Sequence, residues 1–124
     1  MSMAYEANLV NQAFVAGQDL DEFQYYPVKI NSSEEILLAS DAGDTILGVL
    51  QNTPEDEQTA IVAFAGITKA IGGAVIAAGA LVSVEAGGKF ITQTTGTAAG
   101  MALTPCGADE ETFSLLIFRQ EYDS

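Results

Sequence analysis

The sequence predicts an all-β domain, a small barrel or sandwich with at most one short helical turn and an extended N-terminal arm. Three observations predict it. From Phe23 onward, short runs rich in β-branched and aromatic residues alternate with turn-formers about every eight to twelve residues. Gly87-Gly88 separates two of these runs as a tight hairpin turn does, because glycine takes the positive φ angles such a turn demands. Residues 112–118 gather Phe113, Leu115, Leu116, Ile117 and Phe118 into the strongest candidate for a buried strand.

Taken in order, residues 1–22 are polar-mixed, and Leu9, Val10, Phe14 and Val15 have only weak helical spacing. They read as an arm ahead of a single β-rich domain at 23–124, a segment that orders on binding, for example by adding a strand to an exposed sheet edge. Residues 23–30 form the first run, and Asn31-Ser32-Ser33 then offers a turn whose side-chain oxygens can bond the backbone. A strand at 35–39 closes at Asp41-Ala42-Gly43-Asp44, and a third follows at 45–50. A polar loop at 51–57 contains Pro54. Residues 59–65 are apolar on both faces, which places that strand centrally. Gly66 is a bulge or bend before 67–71.

Residues 72–79 are too short for a stable isolated helix and too Ala-rich for a strong strand, and they read as a single helical turn. Strands at 81–86 and 89–94 flank the Gly-Gly turn. A small-residue loop at 96–100, a short strand at 101–104 and an acidic connection at 105–111 lead to the last strand. No repeat of fixed period is present.

Composition narrows the function. The 124 residues carry 17 Asp and Glu against 4 Lys and Arg, a net charge of -13, with no His or Trp and one Cys. Lys29, Lys69, Lys89 and Arg119 stand singly, so the basic cluster that nucleic-acid binding requires is missing. Without His, the Ser-His-Asp and Cys-His nucleophile systems and His-ligated zinc are excluded. A positive mean hydropathy of +0.24 separates the chain from disordered acidic proteins. One domain is expected, burying roughly two thirds of its unfolded surface. A single Cys106 allows no internal disulfide, and the N-terminal residues fit no secretory or transit signal, so cytoplasmic synthesis is expected. The apolar stretch 70–82 falls short of the about 20 residues a membrane helix needs.

Features that resemble sites read more simply as surface. Asp41 and Asp44 lack the alternating ligands of a calcium loop, and no metal or cofactor is expected. Glu55-Asp56-Glu57 and Asp109-Glu110-Glu111 are solvated acidic loops. Gly87-Gly88-Lys89-Phe90 lacks the upstream Gly and following Ser or Thr of a phosphate loop. Cys106 has acidic neighbours that raise a thiol pKa and make it a poor nucleophile. Tyr25 and Tyr26, adjacent in the expected strand, face opposite sides, which puts at least one ring outside the core.

The phrases Tyr25-Tyr26-Pro27-Val28-Lys29, Gly48-Val49-Leu50-Gln51-Asn52-Thr53-Pro54, Gly66-Ile67-Thr68-Lys69 and Ala77-Ala78-Gly79-Ala80-Leu81-Val82, followed by Gly87-Gly88-Lys89, occur in an order and spacing that resembles the small capsid decoration (cement) proteins of tailed bacteriophages. The resemblance runs from about Asp19 to Ile117. It implies a β-rich, non-enzymatic virion protein without a cofactor, which binds the outer surface of the assembled shell and stabilises the expanded head. It further implies the major capsid protein as partner, homotrimers at three-fold and quasi-three-fold positions, and an N-terminal arm that reaches the capsid. Leu9, Val10, Phe14, Tyr25 and Tyr26 are the candidate capsid or subunit contacts; no nucleic acid or membrane is expected as a partner. A head-fibre base or tail accessory protein, and a cellular β-barrel adaptor, are the alternative readings.

Overall fold

The computed structural model describes residues 7–41, 46–93 and 97–121. Among them are nine strands and no helix: β1 (Ala7–Ala16), β2 (Pro27–Ile30), β3 (Glu35–Leu38), β4 (Gly48–Leu50), β5 (Thr59–Ile71), β6 (Leu81–Val84), β7 (Phe90–Thr92), β8 (Thr97–Ala102) and β9 (Thr112–Glu121). The all-β expectation holds.

All nine strands share one hydrogen-bonded sheet organised by β5. The first half of β5 pairs antiparallel with β1, from Val15↔Thr59 to Val10↔Ala65, and with β4 at Val49↔Ala63 and Leu50↔Val62. Its second half pairs with β9, from Gly66↔Ile117 to Ile71↔Thr112. Ile67 is in register with both Ala7 and Leu116, so β9 follows β4 along the edge of β5 opposite β1.

The pairings return on themselves twice. From β1 they run through β3, β2 and β4 back to β5. From β9 they run through β8, β6 and β7, and a parallel bridge from Phe90 to Gly72 returns to the end of β5, with the Gly73 amide donating to the Phe90 carbonyl at 2.8 Å. Each closure uses backbone groups that a flat sheet leaves open at its edge.

Two cores result. The first holds Ala16, Leu20, Val28, Ile36, Leu50, Ala60 and Val62, with Phe14 and Phe23 packed against it. The second is larger and includes Ile76, Val82, Val84, Phe90, Cys106, Phe113 and Leu115. The Phe90 and Phe113 rings meet edge to face, with centroids 6.1 Å apart. β5 is apolar on both faces and paired on both edges, as the sequence predicts, and it feeds both cores, Ala60 and Val62 to the first and Ala70 to the second.

The Asn31 turn forms as expected: Asn31 Oδ1 accepts from the amides of Ser33 and Glu35, each at 2.9 Å. The Gly-Gly hairpin is also present, with φ of 103° at Gly87 and 102° at Gly88, but its loop is three residues, Ala86-Gly87-Gly88, because the Glu85 amide donates to the Lys89 carbonyl at 2.9 Å. Gly66, at φ 96°, lies within β5 rather than ending it, beside register shifts on either side of the Val10↔Ala65 pair. One shift adds Phe64 to β5 and the next adds a residue to β1, so the two bulges offset and the strand runs on.

Other elements differ from expectation. The segment read as an arm is, at residues 7–16, a strand of the chain's own sheet. Its register sets Phe14 and Ala16 toward the first core and Val15 outward. Residues 72–79 contain no helical turn, because the Ile76 and Cys106 amides each donate to the other's carbonyl at 2.9 Å, which occupies the groups a helix would need. The run at 23–30 becomes a strand only at Pro27, and β8 begins at Thr97, inside the predicted loop. Of the Asp41-Ala42-Gly43-Asp44 turn, residues 42–44 lie outside the described residues.

Candidate functional site

Among the described residues no concave pocket forms, and no group of three or more Cys, Asp or Glu is placed to hold a metal. Among the described residues, β1 carries the most distinctive surface. Val15 pairs with Thr59 of β5 on one edge and Glu35 of β3 on the other. β3 covers that second edge only at Val15 and Ala16. Among the described residues, nothing pairs with the rest of it at residues 7–14. The strand contains no charge and no proline, and Val10 and Val15 are 47% and 48% exposed. Asn11, Gln12 and Ala13 are also exposed.

Acidic groups gather where β1 ends. The Glu57 amide donates to the Ala16 carbonyl at 2.9 Å, and the Leu20 amide donates to the Pro54 carbonyl at the same distance. These bonds hold the 19–22 and 55–57 loops side by side, with Asp19, Glu22 and Glu55 near enough to act on Asp21. Partial loss of hydration, then the negative fields of Asp19, Glu22 and Glu55, raise the Asp21 pKa above the usual carboxylate value. Glu34 and Glu35 border the same end from β3.

Five residues were expected to make contacts. Three lie on β1: Leu9 is half-buried, Val10 is exposed beside the bulges, and Phe14 is half-buried against the first core. Tyr25 and Tyr26 are not in a strand facing opposite sides, which corrects the expectation. Tyr25 has φ 70°, donating its amide to the Leu50 carbonyl at 2.7 Å and accepting from the Ile71 amide at 3.0 Å. That kink ties β4 to β5 and directs the ring onto the second core. Tyr26 meets Phe23 edge to face at 5.1 Å. Both tyrosines are half-buried. Burial raises the Tyr26 pKa, opposed by the charge of Lys89.

Four exposed apolar side chains had no place in the sequence-based site: Val15, Ile30, Phe64 and Val75. Phe64 is exposed because the bulge displaces it from the pleat. The one available signal was Gly66 nearby. Cys106 is fully buried, and desolvation, then the charges of Glu111 and Asp109, raise its thiol pKa against hydrogen bonds to the Ala108 and Glu111 carbonyls. Lys89 belongs to no phosphate loop; its Nζ lies 2.9 Å from Asp109 and 3.6 Å from Glu110.

Comparison with known proteins places this architecture. No curated protein sequence matches the chain. Among solved structures, the head fiber gp8.5 N base of bacteriophage phi29 is similar with a TM-score of 0.68 and 14% identity, over 94% of this chain and 99% of that one. At that identity the likeness is one of fold. The model of a phage cement protein family matches residues 12–117, from within β1 to within β9, in the stretch where the sequence phrases resemble decoration proteins. The chain therefore belongs to the phage cement protein family and is a structural protein of the phage virion.

Proposed function

We propose that the protein binds the outer surface of the assembled capsid, with the major capsid protein as its partner, and stabilises the expanded head as a homotrimer at three-fold and quasi-three-fold positions. The observation that carries this reading is the cement-family match over residues 12–117. Leu9, Val10 and Phe14 contribute to the capsid contact, and Tyr25 and Tyr26 lie close to a seam between subunits. The reading is supported by the uncharged, exposed stretch of β1 in a chain of net charge -13. Strong negative charge keeps the free protein soluble and discourages adhesion to packaged DNA, leaving affinity to backbone pairing and local complementarity. A ligand that binds the expanded shell and not its dissociated parts stabilises the shell by mass action.

A second reading, the base of a head fibre, is favoured by the fold likeness to the phi29 head fiber N base. Cosedimentation with expanded and unexpanded shells, together with a light-scattering mass for the free protein, separates the two. Decoration predicts saturable binding to expanded shells near one copy per capsid subunit. Sparse occupancy with a fibrous or hexameric assembly selects the fibre base. Failure to bind either shell overturns both.

A further inference from the structure

The geometry points to a specific mode of docking: the open edge of β1 at residues 7–14 accepts an extended, Lys- or Arg-bearing segment of the capsid subunit as an added strand. This inference rests on the capsid-binding reading above. Sheet edges of this length are ordinarily protected by charge, proline, bulges or a covering element. Here β1 has no charge or proline, its bulges lie on the side facing β5, and β3 covers only its last two residues. The side chains at 10–13 and 15 are exposed. A guest strand gains main-chain hydrogen bonds from this edge, and its side chains lie beside the exposed residues Val10, Asn11, Gln12 and Ala13.

Charge decides the occupant. A strand added along residues 7–14 continues the line of β3 and therefore ends against Glu35 and exposed Glu34. Glu57 borders the same end of β1 from the opposite edge, through its amide bond to Ala16, and the 19–22 loop lies beside it. A second copy brings a net charge of -13 to an acidic end, whereas a segment with one or two cations there meets complementary charge.

The test is amide hydrogen exchange on the full chain, free and bound to expanded shells of the phage that encodes it, read on peptides covering residues 9–16. Strand addition slows the outward-facing amides of residues 11–14 by about tenfold or more in the bound state. Binding without added protection on β1 overturns the inference while leaving the capsid-binding reading intact; absence of binding is failure of that reading instead. Protection that grows with protein concentration in the absence of shells assigns the edge to a second copy and overturns the choice of occupant. Glu34→Gln combined with Glu57→Gln changes two exposed positions, and the pair is expected to weaken shell binding several-fold and reduce its salt dependence. Unchanged affinity and salt dependence exclude a cationic guest.

Discussion

The two halves of β5 serve unlike cores. Around its second half, Phe90 and Phe113 are fully buried in edge-to-face contact, and the surrounding pairings close through the bridge from Gly72 to Phe90. Around its first half the core is aliphatic, its aromatic rings Phe14 and Phe23 sit half-exposed at the rim, and among the described residues β1 keeps an open edge. Acid chemistry differs in the same way. At the second-core end, Lys89 bridges Asp109 and Glu110, whereas at the first-core end Asp19, Glu22 and Glu55 act on Asp21 with one sign of charge. The larger aromatic core lies at one end of β5 and the sparsely covered β1 at the other.

The sharpest way to break this contrast is to delete an aromatic from each core. Phe113→Ala removes a fully buried ring and its partner contact with Phe90, and should cost about 3–5 kcal/mol. Phe14→Ala removes a half-buried ring and should cost about 1 kcal/mol. Equilibrium unfolding in urea reads both, and equal losses would show that the first core is as tightly packed as the second.

A smaller effect is expected at the joint between them. Thr68 is fully buried in β5; its Oγ1 accepts from Gln51 Nε2 at 2.8 Å and donates to the Lys69 carbonyl at 2.9 Å. Gln51 Nε2 also donates to the Val49 carbonyl at 3.1 Å, so the network links the end of β4 to the second half of β5. Thr68→Val keeps the shape and removes the hydroxyl, and should cost about 1 kcal/mol in the same assay. A neutral or stabilising result would show that the two cores are joined by packing alone.

What was legible in the sequence divides by the range of the contacts and only partly by core. The second core announces itself locally: Gly87-Gly88 fixes a hairpin, and Phe113 with Leu115 marks β9 as buried. The first core depends on distant partners. β1 reads as an arm because nothing within residues 7–16 reveals that Phe14 will lie opposite Ala60, far along the chain. Residues 72–79 mislead for a related reason, since the bridge to Cys106 overrides the preference of an Ala-rich run. Tyr25 is displaced from the expected strand by bonds to Leu50 and Ile71, neither of them a sequence neighbour. Of the candidate contacts, Val10 could be found as an exposed apolar residue in a polar segment, while the open edge beside it is a property of pairing and has no local signature.

The smallest predicted effect tests the electrostatic side of the comparison. Partial desolvation, then Asp19, Glu22 and Glu55, raise the Asp21 pKa above its ordinary 3.8. The folded chain therefore holds that proton more tightly than the unfolded chain does. Between the unfolded pKa and the raised folded one, stability falls as pH rises, and the deficit persists at neutral pH, where Asp21 is ionised in both states. Asp21→Asn should raise the thermal midpoint slightly at pH 7, the gain shrinking in high salt and vanishing below pH 3.8. Asp109→Asn should act in the opposite direction at pH 7, because it removes the carboxylate that bonds Lys89, at a cost of at most about 1 kcal/mol. If both variants shift the midpoint the same way, the acids at the two ends of β5 are equivalent and the charge contrast between the cores fails.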